Sequence, residues 1–93
     1  MEEYVGMDLD KNAGDMISAI IEALQESDER VVADDLGVFI KVRAPGRMEL
    51  RREAVEDKLG RVWSMDDLQV CMASYFGYIQ DWDEDHVIIA WGA

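Results

Sequence analysis

Reactive side chains are scarce in this sequence. It has one histidine, His86, and one cysteine, Cys71. Together they cannot complete a four-ligand zinc site. As a nucleophile–base pair they would have to converge from two predicted strands of unknown register; the plainer roles are a packed thiol and a strand-edge imidazole. Asp81, Asp83 and Asp85 occupy the first three ligand positions of a calcium-binding loop. The sixth position, which should be Gly, is His86, and the twelfth, which should be Glu, is Gly92. A strand is expected to follow, so the stretch reads as a solvated acidic hairpin tip. Gly46, Gly60 and Gly77 stand isolated and read as turn, helix stop and bend rather than as a phosphate-cradling loop. Glu53, Glu56 and Asp57 share one helix face, where surface pairing with Arg52, Lys58 and Arg61 explains them. No set of residues in the sequence converges on catalysis.

The elements that would position these groups fit one domain spanning residues 1–93, with one modest core. A hydrophobic fraction of 49% argues against a disordered acidic tail. No apolar run approaches the ~18 residues of a membrane span, and Met1–Tyr4 opens acidic, unlike a signal peptide. A lone cysteine forms no internal disulfide, so the expected location is cytoplasmic. The net charge of −12 repels phosphate backbones and disfavours nucleic acid as a partner. It favours positively charged surfaces.

The charge is uneven. Residues 41–61 carry seven basic side chains (Lys41, Arg43, Arg47, Arg51, Arg52, Lys58 and Arg61) against four acids, a net +3 that leaves −15 elsewhere. Two readings stand: a solvated hairpin and helix laced with local ion pairs, or a positive face that orients docking.

Along the chain, residues 3–7 suggest a short strand weakened by Gly6, followed by a polar turn through Asn12. Asn12 or Asp15 is expected to cap a helix in which Ile17, Ile20, Ile21 and Leu24 recur at i, i+3, i+4 and i+7. A short strand is expected at 31–33 and a turn at Asp35-Leu36-Gly37. Residues 38–43 and 48–51 alternate with period two across Ala44-Pro45-Gly46-Arg47, predicting a β-hairpin with Val38, Ile40 and Val42 on one side. Arg52–Leu59 reads as a helix stopped by Gly60. Ser64 and Asp67 resemble a capping signal for a brief turn at 65–68. Strands are expected at 69–76 and 86–91. The order β-α-β-β-β-α-β-β, with hairpin-connected strands and two main helices, is an α+β fold. Trp63, Trp82, Trp91, Tyr75, Phe76 and Tyr78 are many large rings for so small a core; they serve as core filling or as interface anchors.

Several of these segments carry a family pattern. Ile21-Glu22-Ala23-Leu24, Val38 to Val42, Gly46-Arg47-Met48-Glu49-Leu50-Arg51-Arg52-Glu53, Val55-Glu56 and Leu59-Gly60-Arg61 resemble the small effector protein of bacterial multicomponent diiron monooxygenases. The likeness is nearest to the regulatory component of phenol hydroxylases, and it runs from about Tyr4 to Trp91. The resemblance implies a cofactor-free, non-catalytic protein that docks on a diiron hydroxylase above its metal site. It also implies a functional link to an NADH-fed reductase, and coupling of electron input to substrate oxidation. Methane-oxidising relatives carry a long N-terminal tail, whereas this sequence begins almost at its first strand, so a methane system is not expected. Ser74-Tyr75-Phe76-Gly77-Tyr78 is bulkier than the small polar residues expected at that strand end, which leaves toluene and alkene systems open beside phenol. On this reading Tyr75 and Phe76 are anchors, and Ser74 and Gly77 allow close approach. Arg43, Arg47, Arg51 and Arg52 steer the encounter, and Asn12 is a further contact. Without the resemblance, composition alone favours a small acidic interaction adaptor unrelated to oxygenases.

Overall fold

Two glycines redirect the chain, and much of the architecture follows from them. The computed structural model describes residues 3–91. Met1–Glu2 and Gly92–Ala93, including the last position of the calcium-loop pattern, lie outside the described residues. The first sheet contains β1 (Tyr4–Asp10), β2 (Val32–Asp35), β3 (Phe39–Pro45) and β5 (Met72–Phe76), in the order β2-β3-β1-β5. The second contains β4 (Arg47–Arg51), β6 (Tyr78–Trp82) and β7 (His86–Ala90), in the order β4-β7-β6. Every strand pair is antiparallel. Among the described residues three α-helices complete the fold: α1 (Asp15–Ser27), α2 (Arg52–Leu59) and α3 (Met65–Cys71). The class is α+β.

The expected hairpin over residues 38–51 does not form. Its two arms pair with other strands: β3 lies between β2 and β1, and β4 lies beside β7. Gly46, at φ +76°, is the crossing point between the sheets. Its N–H donates to the Glu3 carbonyl (2.8 Å), and its own carbonyl accepts from Trp91 N–H (3.3 Å). Gly77 makes the second crossing, from β5 to β6, at φ +109°. A Cβ there would lie 2.8 Å from Val5 Cγ1 and 2.9 Å from Ile89 Cγ2, so each sheet closes on it.

Both sheets give their inner faces to one core. Val5, Met7, Leu9, Val42 and Ala44 come from the first, and Met48, Leu50, Val87 and Ile89 from the second. The helices add Ile17, Ile20 and Leu24, then Val55, then Met65 and Leu68. Helix α1 follows its apolar spacing, but Gly14 holds its N-cap and neither Asn12 nor Asp15 caps it. Asp10 instead accepts from the Asn12 N–H (2.9 Å), closing a single 3-10 turn over Lys11–Ala13. Helix α2 ends on Gly60 in the left-handed conformation, as its sequence requires.

Three further expectations change. Strand β1 runs on to Asp10, and Gly6 sits inside it. The capping signal at Ser64 starts a full helix rather than a brief turn. Ser64 Oγ accepts from Asp66 N–H (3.1 Å), while the Asp67 carboxylate accepts from Ser64 N–H (3.4 Å). Residues 69–71 therefore belong to α3 and the strand begins at Met72. Strand β6, which the sequence reading leaves out, pairs with β7 and turns the acidic segment into a hairpin.

Candidate functional site

The outer face of the first sheet is built by register. Two rows of side chains cross its four strands. One row is Val32, Arg43, Gly6 and Phe76; the other is Asp34, Lys41, Asp8 and Ser74. Charge alternates along the second row, and neighbours within and between the rows bind one another. Arg43 pairs with Asp34 (3.5 Å), and Lys41 approaches Asp8 (3.9 Å). Ser74 Oγ donates to Asp8 Oδ2 (2.7 Å). Cations also cover rings: Lys41 Nζ lies 5.1 Å from the Phe76 centroid, and Arg43 Cζ lies 5.2 Å from that of Tyr4.

Gly6 is explained by the same face. A Cβ there would meet the Val42 carbonyl oxygen at 2.0 Å and Phe76 Cζ at 2.7 Å. Phe76 lies across the glycine and fills the space a side chain would take. It is thus half-buried against its own sheet. Tyr75 pairs in register with the inward-facing Met7, yet it lies on an edge strand and stays 47% exposed. Beyond Gly77, Tyr78 meets Trp91 edge-to-face at 5.5 Å, and Trp91 Nε1 donates to the Tyr4 carbonyl (2.9 Å). The two crossings therefore lie beside a rim of exposed rings: Tyr4, Tyr75, Tyr78 and Trp91.

The residues singled out from sequence are partly gathered here. Arg43, Ser74 and Phe76 share the outer face, with Tyr75 and Gly77 at its edge. Arg47 and Arg51 lie on β4 of the other sheet, opposite Ala90 and His86. Arg52 is bound by Glu56 (2.7 Å) and Asp85 (3.1 Å). Asn12 lies on the 3-10 turn, exposed. Six of the seven basic residues of 41–61 meet an acid, five of them one from outside the segment. Arg51 forms no ion pair among the described residues. Local pairing thus prevails over a single positive face. Sequence reasoning missed Lys41 as the cover of Phe76, Asp8 as the partner of Ser74, and Tyr4 as the acceptor for Trp91. All three depend on pairing between segments far apart in the chain, which local patterning does not encode.

The reactive groups stay apart. Cys71 is buried, its Sγ donates to the Leu68 carbonyl (3.5 Å), and burial pushes the thiol up to about 11. His86 instead faces Asp81 and Asp83. These three bring ligand-type atoms within 4.8 Å of one another on the exposed β6–β7 hairpin. Asp83 already accepts from the N–H groups of Asp85 (2.8 Å) and His86 (2.9 Å), and those bonds hold its carboxyl below the ordinary carboxylate range. An open groove of about 520 Å³ is edged by Glu26, Glu49, Glu53, Asp57 and Arg51. No helix among the described residues is long and apolar enough to cross a membrane.

Comparison with known proteins points one way. The model of the MmoB/DmpM family matches residues 3–90. A stimulatory component of phenol 2-monooxygenase, DmpM of Pseudomonas sp. (strain CF600), is 31% identical over 72 residues, 77% of this chain and 79% of that one. Two solved structures of a phenol hydroxylase–regulatory protein complex contain a similar chain. One has a TM-score of 0.84 at 27% identity, covering 97% of this chain and all of that one. The other has a TM-score of 0.79 at 27% identity, covering 96% and 100%. The soluble methane monooxygenase regulatory protein B shares the fold, with a TM-score of 0.67 at 22% identity over 94% of this chain and 64% of that one.

Proposed function

The chain belongs to the MmoB/DmpM family, and from that premise we propose that it is the regulatory component of a phenol-type multicomponent hydroxylase. Its relatives are named stimulatory or regulatory components, and the likeness to the regulatory protein of a phenol hydroxylase complex, over 97% of this chain, carries the reading. In this role it binds the diiron hydroxylase, works beside an NADH-fed reductase in the cytoplasm, and raises the yield of hydroxylated aromatic product per electron pair. It brings no reaction chemistry of its own. It changes a buried metal site by binding one hydroxylase conformation better than another. That leverage is about 1–3 kcal/mol, the usual size of a coupling free energy.

The contact surface we assign is the outer face of the first sheet with its aromatic rim. Tyr75 is the exposed anchor of that rim, on the edge strand and in register with Met7. Phe76, pinned over Gly6 and covered by Lys41, adds a half-buried ring, and Ser74 and Gly77 keep the strand end thin. Arg43 and Arg47 contribute at its borders, Arg51, without an ion pair among the described residues, supplies a cation on the second sheet, Arg52 braces the 83–85 loop, and Asn12 flanks the far end.

Calorimetric titration of the chain into its hydroxylase should give saturable binding near one chain per active site. Tyr75→Ala should weaken it about tenfold, the loss typical of an aromatic anchor. Absence of association with an active hydroxylase would refute the role.

A further inference from the structure

The tip of the β2–β3 hairpin is built against the usual rule for tips. Leu36 is 61% exposed, Val38 62% and Phe39 38%, in a turn where polar residues and Gly normally sit. Three apolar side chains in four positions make a small hydrophobic knuckle in an otherwise strongly acidic molecule. It is held still. Leu36 N–H donates to the Phe39 carbonyl (2.8 Å), and Gly37 N–H donates to Asp35 Oδ1 (2.9 Å). From the neighbouring 3-10 turn, Lys11 N–H donates to the Val38 carbonyl (3.2 Å) and Lys11 Nζ to Asp35 Oδ2 (2.8 Å). Ordering such a loop on binding therefore costs little.

The knuckle is continuous with the face described above. Phe39, Lys41 and Arg43 follow one another on the outer side of β3, and Phe39 lies opposite Asp10. The six residue steps from Phe39 to Pro45 separate the knuckle from the aromatic rim by about 20 Å. Asp10, Asp34 and Asp35 border the tip; Lys11 pairs with Asp35 (2.8 Å) and Arg43 with Asp34 (3.5 Å), while Asp10 has no ion pair among the described residues. A second copy of the chain would bring another −12 to this edge, so self-association is opposed by charge. The complementary occupant is a protein surface with a shallow apolar depression bordered by Lys and Arg.

Resting on the functional reading above, we propose that the Leu36–Phe39 knuckle is a second anchor, seated in a basic-rimmed apolar depression on the hydroxylase. Contact at the aromatic rim and at the knuckle makes a two-point dock along one sheet. The second point fixes the direction in which the sheet lies on its partner, so the knuckle sets affinity and orientation together.

The test is the double variant Leu36→Asp/Val38→Ser, titrated into the hydroxylase beside the unmodified chain. Val70→Ser serves as control, because Val70 is 79% exposed on α3 and belongs to neither the outer-face rows nor the knuckle. The double variant should bind about tenfold or more weakly, with its melting temperature kept, and the control should bind normally. Equal binding by the double variant and the unmodified chain overturns the knuckle and leaves the functional reading standing. Failure of the unmodified chain to bind overturns the functional reading and this partner with it. If sedimentation shows the unmodified chain dimeric and the double variant monomeric, the occupant is a second copy and the proposal is wrong.

Discussion

His86 shows how single residues here act through their neighbours. Its Nε2 lies 2.8 Å from Asp81 Oδ2, and its Nδ1 lies 3.5 Å from Asp83 Oδ1. The hydrogen bond to Asp81 is the main cause that raises its pKa above 6.5; the charges of Asp83, Asp81 and Glu49 act in the same direction. Arg51, opposite in the β4–β7 register, is the cation on its other side. The imidazolium has carboxylate partners in the folded chain and loses them on unfolding. Its stabilisation is therefore complete below about pH 6.5 and fades as pH rises through the higher folded value. Melting curves from pH 5.5 to 8.5 should show the unmodified chain ahead of His86→Gln at the acid end, with the gap closing toward alkaline pH. A gap that stays constant or widens with pH would contradict this linkage. At the same scale, sequence reading found Phe76 and Ser74 as notable residues but not what occupies them. The row Arg43-Gly6-Phe76 becomes visible only once three strands are in register.

At the scale of elements, local signals held where one segment decides its own structure. The Ile17–Leu24 spacing gave α1, and Arg52–Leu59 with Gly60 gave α2 to the residue. They failed where the partner decides. Two alternating runs around Pro45-Gly46 look the same whether they pair with each other or separate into two sheets. Val70, Met72 and Ser74 alternate like a strand, but the capping box at Ser64 carries helix α3 through Cys71 and leaves Val70 in solvent. Gly77 is the clearest element-level test, since it combines a positive φ with Cβ space already taken by both sheets. Gly77→Ala should cost about 2–4 kcal/mol, from backbone strain and overpacking together. Urea unfolding would read it as a lower midpoint at unchanged slope. A midpoint equal to that of the unmodified chain would show that the crossing does not depend on this glycine.

For the whole molecule, the charge pattern matters more than its sum. The basic residues of 41–61 are distributed among acids from four other stretches: Asp8 of β1, Asp15 and Glu26 of α1, Asp34 of β2, and Asp85 of the 83–85 loop. They stitch the sheets, α1 and the 83–85 loop together, and leave an acidic body with one mixed aromatic and charged face. Exposed pairs of this kind add little stability individually, about 0–1 kcal/mol each. Their consequence is spatial: apolar contact groups concentrate at the rim and the hairpin tip, while acids cover much of the remaining surface. Such a body suits reversible docking on a larger partner. It was the family pattern, spread along nearly the whole sequence, that made this role legible before any contact was known.

The central claim is that the chain stimulates and couples a reaction performed by its partner. The most direct measurement titrates it into hydroxylase, reductase, NADH and phenol, following hydroxylated product and NADH consumed in the same samples. Product rate should rise to a plateau near stoichiometric chain, and product per NADH should rise with it. A product rate and a yield per NADH that both stay flat across the titration, with hydroxylase and reductase shown to be active, would contradict the claim.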